Sequence, residues 1–144
     1  MRHVDHDTRR RGEPEDAPPG GENALVVIGL KRRSNELGDL SERMNLKYGF
    51  KFDYDFDRNG DPTNAYCRSD HYMYARYGIP VAFFVAAAWY IDYHMVSDEP
   101  QYVAYDRMTK IGNYVKDVVG EVANLKQRPA LSGPKPDPHG LCRT

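Results

Sequence analysis

Little in this 144-residue sequence is present in excess. It holds two cysteines, Cys67 and Cys142, and one tryptophan. So few thiols exclude a small disulfide-stapled scaffold, and they leave open whether the two pair or stay free. An excess of charge of one sign is missing too. Twenty basic and 21 acidic side chains leave a formal net charge of -1, so no basic field steers the chain onto nucleic acid or an acidic lipid surface. The longest apolar run, Ile79 to Ile91, falls short of the roughly 20 residues a helix needs to span a bilayer. The first residues are charged and lack the apolar stretch of an export signal, and the compartment stays open.

What remains has the length of one ordinary domain, able to bury roughly 68–70% of its unfolded surface without staples. Its ends differ from its middle. Residues 1–23 carry six acidic and four arginine side chains, with prolines at 14, 18 and 19, and almost nothing apolar. They read as loop or disorder. Residues 127–144 carry prolines at 129, 134, 136 and 138, which block helix and strand alike and read as a loose tail. The packing part is then about Ala24 to Lys126, without an internal repeat.

Within it, Ala24 to Ile28 is a continuous apolar run ending at Gly29, the pattern of a strand buried on both faces. Ser34 is a good N-cap, and Leu37, Leu40 and Met44 recur at helical spacing up to Asn45. Phe50, Phe52, Tyr54 and Phe56 alternate with Lys51, Asp53, Asp55 and Asp57, the two-residue period of a half-buried strand, and Asn59 to Pro62 turns the chain. Ser69 or Asp70 can cap a short helix to Tyr77, Gly78 can end it in a left-handed conformation, and Ile79 to Val85 forms another buried strand. The last helix, Tyr105 to Lys126, shows an apolar stripe of Met108, Ile111, Val115, Val118, Val122 and Leu125. Strands alternating with helices argue for an α/β layered fold.

Three clusters could carry chemistry. Asp55, Asp57, Asn59 and Gly60 match the first half of a calcium-binding EF-hand loop, but Tyr66 stands where the bidentate glutamate belongs. A solvated strand face explains the same aspartates. Asp70 and His71 lie at a helix start, where a carboxylate is favoured by capping alone. The loop with Asp92, Tyr93, His94 and Asp98 follows a buried strand, where ligand sites of α/β sheets gather. There an imidazole can bind zinc and a phenol can donate to a developing oxyanion, or the histidine is simply hydrogen-bonded within its loop.

The stretch Tyr66-Cys67-Arg68-Ser69-Asp70-His71, then Ala75 to Gly78, Ile79-Pro80-Val81, Phe83-Phe84, Asp92-Tyr93-His94 and Asp98 resembles the C-terminal half of the di-zinc aminopeptidases of metallopeptidase clan MH. Glutamate carboxypeptidases and glutaminyl cyclases are relatives. Val26-Val27-Ile28-Gly29, Ser34 to Leu40 and the last helix fit the same family, so the resemblance runs from about Val4 to Pro129. It implies part of a three-layer α/β/α sandwich on a mixed sheet, with the N-terminal half missing. It also implies His94 as a zinc ligand and Tyr93 as the residue that polarises the scissile carbonyl. Asp70, His71 and Asp98 would support the site by hydrogen bonding without touching metal. Tyr93 stands where glutaminyl cyclases carry Trp, which favours the peptidase branch. Val4-Asp5 followed by Arg9 resembles the strand motif whose Asp binds the second zinc, here Asp5.

The same resemblance says what this chain lacks. The family's site also needs a His-x-Asp motif whose Asp bridges both metals and a Glu-Glu pair that supplies base and ligand. No Glu-Glu occurs in the sequence, and His3-Val4-Asp5 stands in the wrong order for the former. Without bridge and base a two-metal mechanism is lost. The reading is therefore a fragment of a zinc aminopeptidase, inactive alone, whose complete form takes a peptide substrate and whose partner is the missing half or a second copy. The other reading is a non-catalytic α/β interaction module derived from that fold.

Overall fold

The computed structural model describes residues 20–86, 95–97, 99–134 and 137–142. A three-stranded mixed sheet forms the middle layer, in the order β2-β1-β3. β1 (Ala24–Ile28) is central and buried along its whole length, as a strand covered on both faces must be. β2 (Lys51–Asp53) pairs with it in parallel, Leu25 opposite Phe52. β3 (Phe83–Ala86) pairs on the other side in antiparallel fashion, Val27 opposite Phe84 and Ile28 opposite Phe83.

The parallel pair needs a crossover, and α1 (Asn35–Asn45) supplies it. Its start is written in Ser34, whose buried side chain accepts a hydrogen bond from the Leu37 N–H at 3.2 Å. Leu37 and Leu40 turn inward against the sheet, with Met44 packed beside them. α3 (Tyr105–Ala123) lies on the same face and inserts Ile111, Tyr114 and Val118. The expected stripe of α3 omits Tyr114, yet that side chain is fully buried and meets Tyr48, Phe50, Phe52 and Phe84 with ring centroids 5.3 to 5.9 Å apart. Its hydroxyl donates to the Ser41 carbonyl, which lets a phenol sit at the centre of an apolar layer.

The other face carries Val26, Ile28, Tyr66, Ala75 and Val81. Here a 3-10 turn (Ala65–Cys67) and α2 (His71–Ala75) form the third layer. The α/β reading thus holds, as a small sheet between helical layers.

Several expected elements are shorter than their patterns, the last helix among them, which ends at Ala123 and not Lys126. The alternation from Phe50 to Phe56 predicts one strand, but β2 stops at Asp53, whose carboxylate accepts the Asp55 N–H at 2.8 Å and turns the chain into a 3-10 turn (Asp55–Asp57). Phe50, Phe52 and Tyr54 therefore stay with the α1/α3 layer, while Phe56 joins the opposite one. The strand expected from Ile79 begins only at Phe83, and α2 ends at Ala75, two residues before Tyr77. Gly78 does take the left-handed conformation (φ 78°), and the Ile79 N–H reaches back to the Tyr74 carbonyl.

Cys67 and Cys142 are bonded to each other, their Cα atoms 6.2 Å apart. Among the described residues no helix is long and apolar enough to cross a membrane.

Candidate functional site

The carboxyl end of β1 is where polar side chains converge. Gly29 leaves the strand at φ 82°, and a Cβ there would stand 2.8 Å from the Val81 side chain and 3.1 Å from its carbonyl. Only glycine fits, in both conformation and space. Its N–H donates to Asp57 Oδ1 at 2.8 Å, and Arg32 Nε donates to the same oxygen at 3.0 Å. Arg32 Nη2 also donates to the carbonyls of Asp57 and Arg58. The guanidinium lies over the Tyr66 ring, 4.4 Å from its centroid, an arrangement worth roughly 1 kcal/mol.

Both partners of this ion pair are nearly dry, with side-chain exposures of 10% for Arg32 and 6% for Asp57. Burial pushes the Asp57 carboxyl above its ordinary range, and the Gly29 N–H and the Arg32 charge only partly offset it. Burial raises the Tyr66 phenol in the same way. The cluster fixes the loop after β1 against the 3-10 turn after β2. It is an organising device rather than a row of ligands.

That arrangement also decides the calcium motif. Asp57 spends its carboxylate on Gly29 and Arg32, and Asp61 spends its own on Thr63 and the Ala65 N–H, so the aspartates of the 55–61 stretch do not converge. Asp55 sits in the 3-10 turn with its side chain exposed.

Of the residues singled out from the sequence, Asp70 and His71 are described. Asp70 occupies the N-cap position of α2, is exposed, and makes no side-chain capping bond. His71 packs its ring on Phe83, with centroids 4.7 Å apart and planes 19° off parallel, and tilts against Tyr66 at 5.8 Å. Neither ring nitrogen has a hydrogen-bond partner at good geometry, and burial holds the imidazole below its ordinary value. Asp5, Tyr93, His94 and Asp98 lie outside the described residues.

Zinc can be tested only against what is described. Cys67 and Cys142 are consumed by their bond, His71 faces aromatic rings, and no group of three or more His, Cys, Asp or Glu side chains able to hold a metal ion occurs among the described residues. These residues do not make a zinc site by themselves.

Comparison with known families decides the wider question, because the profile of peptidase family M28 matches residues 18–119. The chain belongs to that family. The match takes in the whole sheet, the Asp57 cluster, Asp70 and His71, and the loop with Tyr93 and His94, and it begins after Asp5. Comparison with curated proteins and with solved structures finds no match. Within this M28 chain residue patterns single out Asp57 and Tyr66 separately but not their grouping with Arg32. Its only signal in the sequence is positional, an arginine three residues past the glycine that ends a buried strand.

Proposed function

We propose that this chain carries the C-terminal part of an M28 zinc aminopeptidase domain, one that hydrolyses N-terminal peptide bonds, and that it is catalytically silent on its own. The observation that carries the reading is the absence of any Glu-Glu pair from a sequence that matches the peptidase family over residues 18–119. A hydrolase of this kind needs a base to take the proton of the attacking water, and that base has no counterpart here.

In the complete domain this reading assigns His94, and by its weaker motif Asp5, as zinc ligands. Tyr93 donates a hydrogen bond to the carbonyl oxygen of the scissile bond as that oxygen gains charge. Asp70, His71 and Asp98 position the loop, with Arg32 and Asp57 holding the end of β1 behind it. The partner is the half that brings the bridging aspartate and the base. Two features support a surface for it. β3 has no strand on its outer side among the described residues. Beside it an apolar groove of about 950 Å3 is lined by Phe83, Phe84, Val115, Val119, Pro129 and Leu131. An unpaired strand edge next to uncovered apolar surface is the kind of boundary a larger sheet leaves when divided.

The test is to translate the coding sequence ahead of Met1 in frame, and around the locus, for the His-x-Asp and Glu-Glu motifs. Finding both supports a divided peptidase. Finding neither removes the partner from the proposal.

A further inference from the structure

We propose that the C-terminal segment is a thiol-operated strap: it is hydrogen-bonded to the start of α1 at one end and latched to the opposite layer by the Cys67–Cys142 disulfide at the other, and reduction frees it from the face that carries Tyr66 and His71. The inference does not rest on the peptidase reading.

The segment leaves α3 without helix or strand, as its prolines dictate, yet it is held at both ends. On the α1 side the Ala130 N–H donates to Glu36 Oε2 at 2.8 Å and the Ser132 N–H donates to the Arg33 carbonyl at 2.9 Å. Ser132 Oγ accepts the N–H of Asn35, the first residue of α1, at 2.7 Å, so the strap satisfies one of the donors a helix start leaves open. On the opposite side Cys142 packs against the cluster of Val26, Ile28, Tyr66, Ala75 and Val81.

The two anchors differ in kind. The first is a set of hydrogen bonds to the body. The second has none among the described residues: the N–H groups of His139 and Gly140 both close on Asp137, inside the segment. Leu141 is 90% exposed, and Cys142 is the side chain of this stretch that packs on the apolar cluster. Among the described residues, the disulfide and the packing of Cys142 tie residues 137–142 to the body. Both cysteines are half-buried, so a small thiol has a path to the bond.

The chemistry is ordinary exchange with a small thiol reductant. Its thiolate attacks one sulfur, the Sγ–Sγ bond breaks, and a mixed disulfide forms while the departing sulfur leaves as thiolate and takes up a proton. A second thiol resolves the mixed disulfide. The protein gains two thiols and the reductant ends as its own disulfide. Cys67 lies four residues before His71, so release at this point loosens the turn that leads into α2.

The experiment equilibrates the full chain in buffers of reduced and oxidised glutathione. It traps free thiols with a maleimide and follows amide hydrogen exchange, with Cys142→Ser as a permanently open reference. The expected result is a disulfide that opens within the glutathione range. Residues 137–142 then exchange at least about tenfold faster, while β1 and α3 keep their protection. A disulfide that resists millimolar glutathione overturns the strap. So does unchanged exchange of 137–142 after reduction, and so does loss of protection in β1 and α3 together, which would make the bond a staple of the whole fold.

Discussion

Replacing Asp57 with alanine removes the acceptor that the Gly29 N–H and the Arg32 guanidinium share at the carboxyl end of β1. Both side chains are nearly dry, so the change strands a buried cation. Breaking a buried pair by deleting one partner costs about 3–5 kcal/mol, and an orphaned N–H adds about 1 kcal/mol. Arg32 keeps the carbonyls of Asp57 and Arg58, which places the expected loss near the lower end, about 3 kcal/mol. The intact pair is a poor net stabiliser, because burial already opposes ionisation of Asp57. Arg32→Met with Asp57→Leu is therefore expected to lie within about 1 kcal/mol of the parent, far from the sum of the single changes. Urea unfolding followed by circular dichroism reads Asp57→Ala and the four corners of the cycle, which are the parent, Asp57→Leu, Arg32→Met and the double variant, provided the slope with denaturant stays constant. A single change costing under about 1 kcal/mol, or a double variant as weak as the sum, would refute the account of this cluster. The same chain with calcium added is expected to melt where it did before, since Asp57 is already committed.

Four further outcomes follow from the packing. Burial depresses the folded His71 pKa, so its contribution to stability is complete above the ordinary histidine value and is lost as pH falls through it toward the lower folded value. Thermal melts between pH 7 and 5 are expected to show this as a slope of at most about 1.4 kcal/mol per pH unit, absent in His71→Phe. Ser34→Ala removes the cap of α1 and is expected to cost about 1 kcal/mol in the same urea assay. Tyr114→Phe loses the hydroxyl's bond to the Ser41 carbonyl at about 1 kcal/mol, whereas Ile111→Ala opens a cavity between α3 and the sheet and costs about 3 kcal/mol.

The parts of the fold legible in the sequence are those where one local rule acts alone. Ala24 to Ile28 is apolar throughout and became the central strand. Ser34 capped α1, and the period of Ile111 and Val118 gave α3 its inward face. Where a side chain reaches across the chain, periodicity misleads. Phe50 to Phe56 alternates like one strand, but Asp53 turns the backbone locally and Asp57 is drawn to Gly29 and Arg32, 28 and 25 residues away. Tyr114 lies outside the apolar stripe of α3, and the Ser41 carbonyl explains how its phenol is buried. The same reach hid the site's organising cluster, since no short motif links Arg32, Asp57 and Tyr66. The cysteine pair is hidden in the same way, since 75 residues separate its members and no local pattern links them. The family itself was legible, because Tyr66 to His71 and Ile79 to Phe84 are contiguous motifs and the M28 profile covers them.

Release of the chromophore from an aminoacyl anilide by the purified, folded chain in zinc-containing buffer tests the central claim most directly. The proposed function predicts no turnover above the uncatalysed background, because on that reading the base and the bridging carboxylate come from the missing half. Zinc-dependent turnover that is abolished by a chelator and by His94→Ala would contradict it.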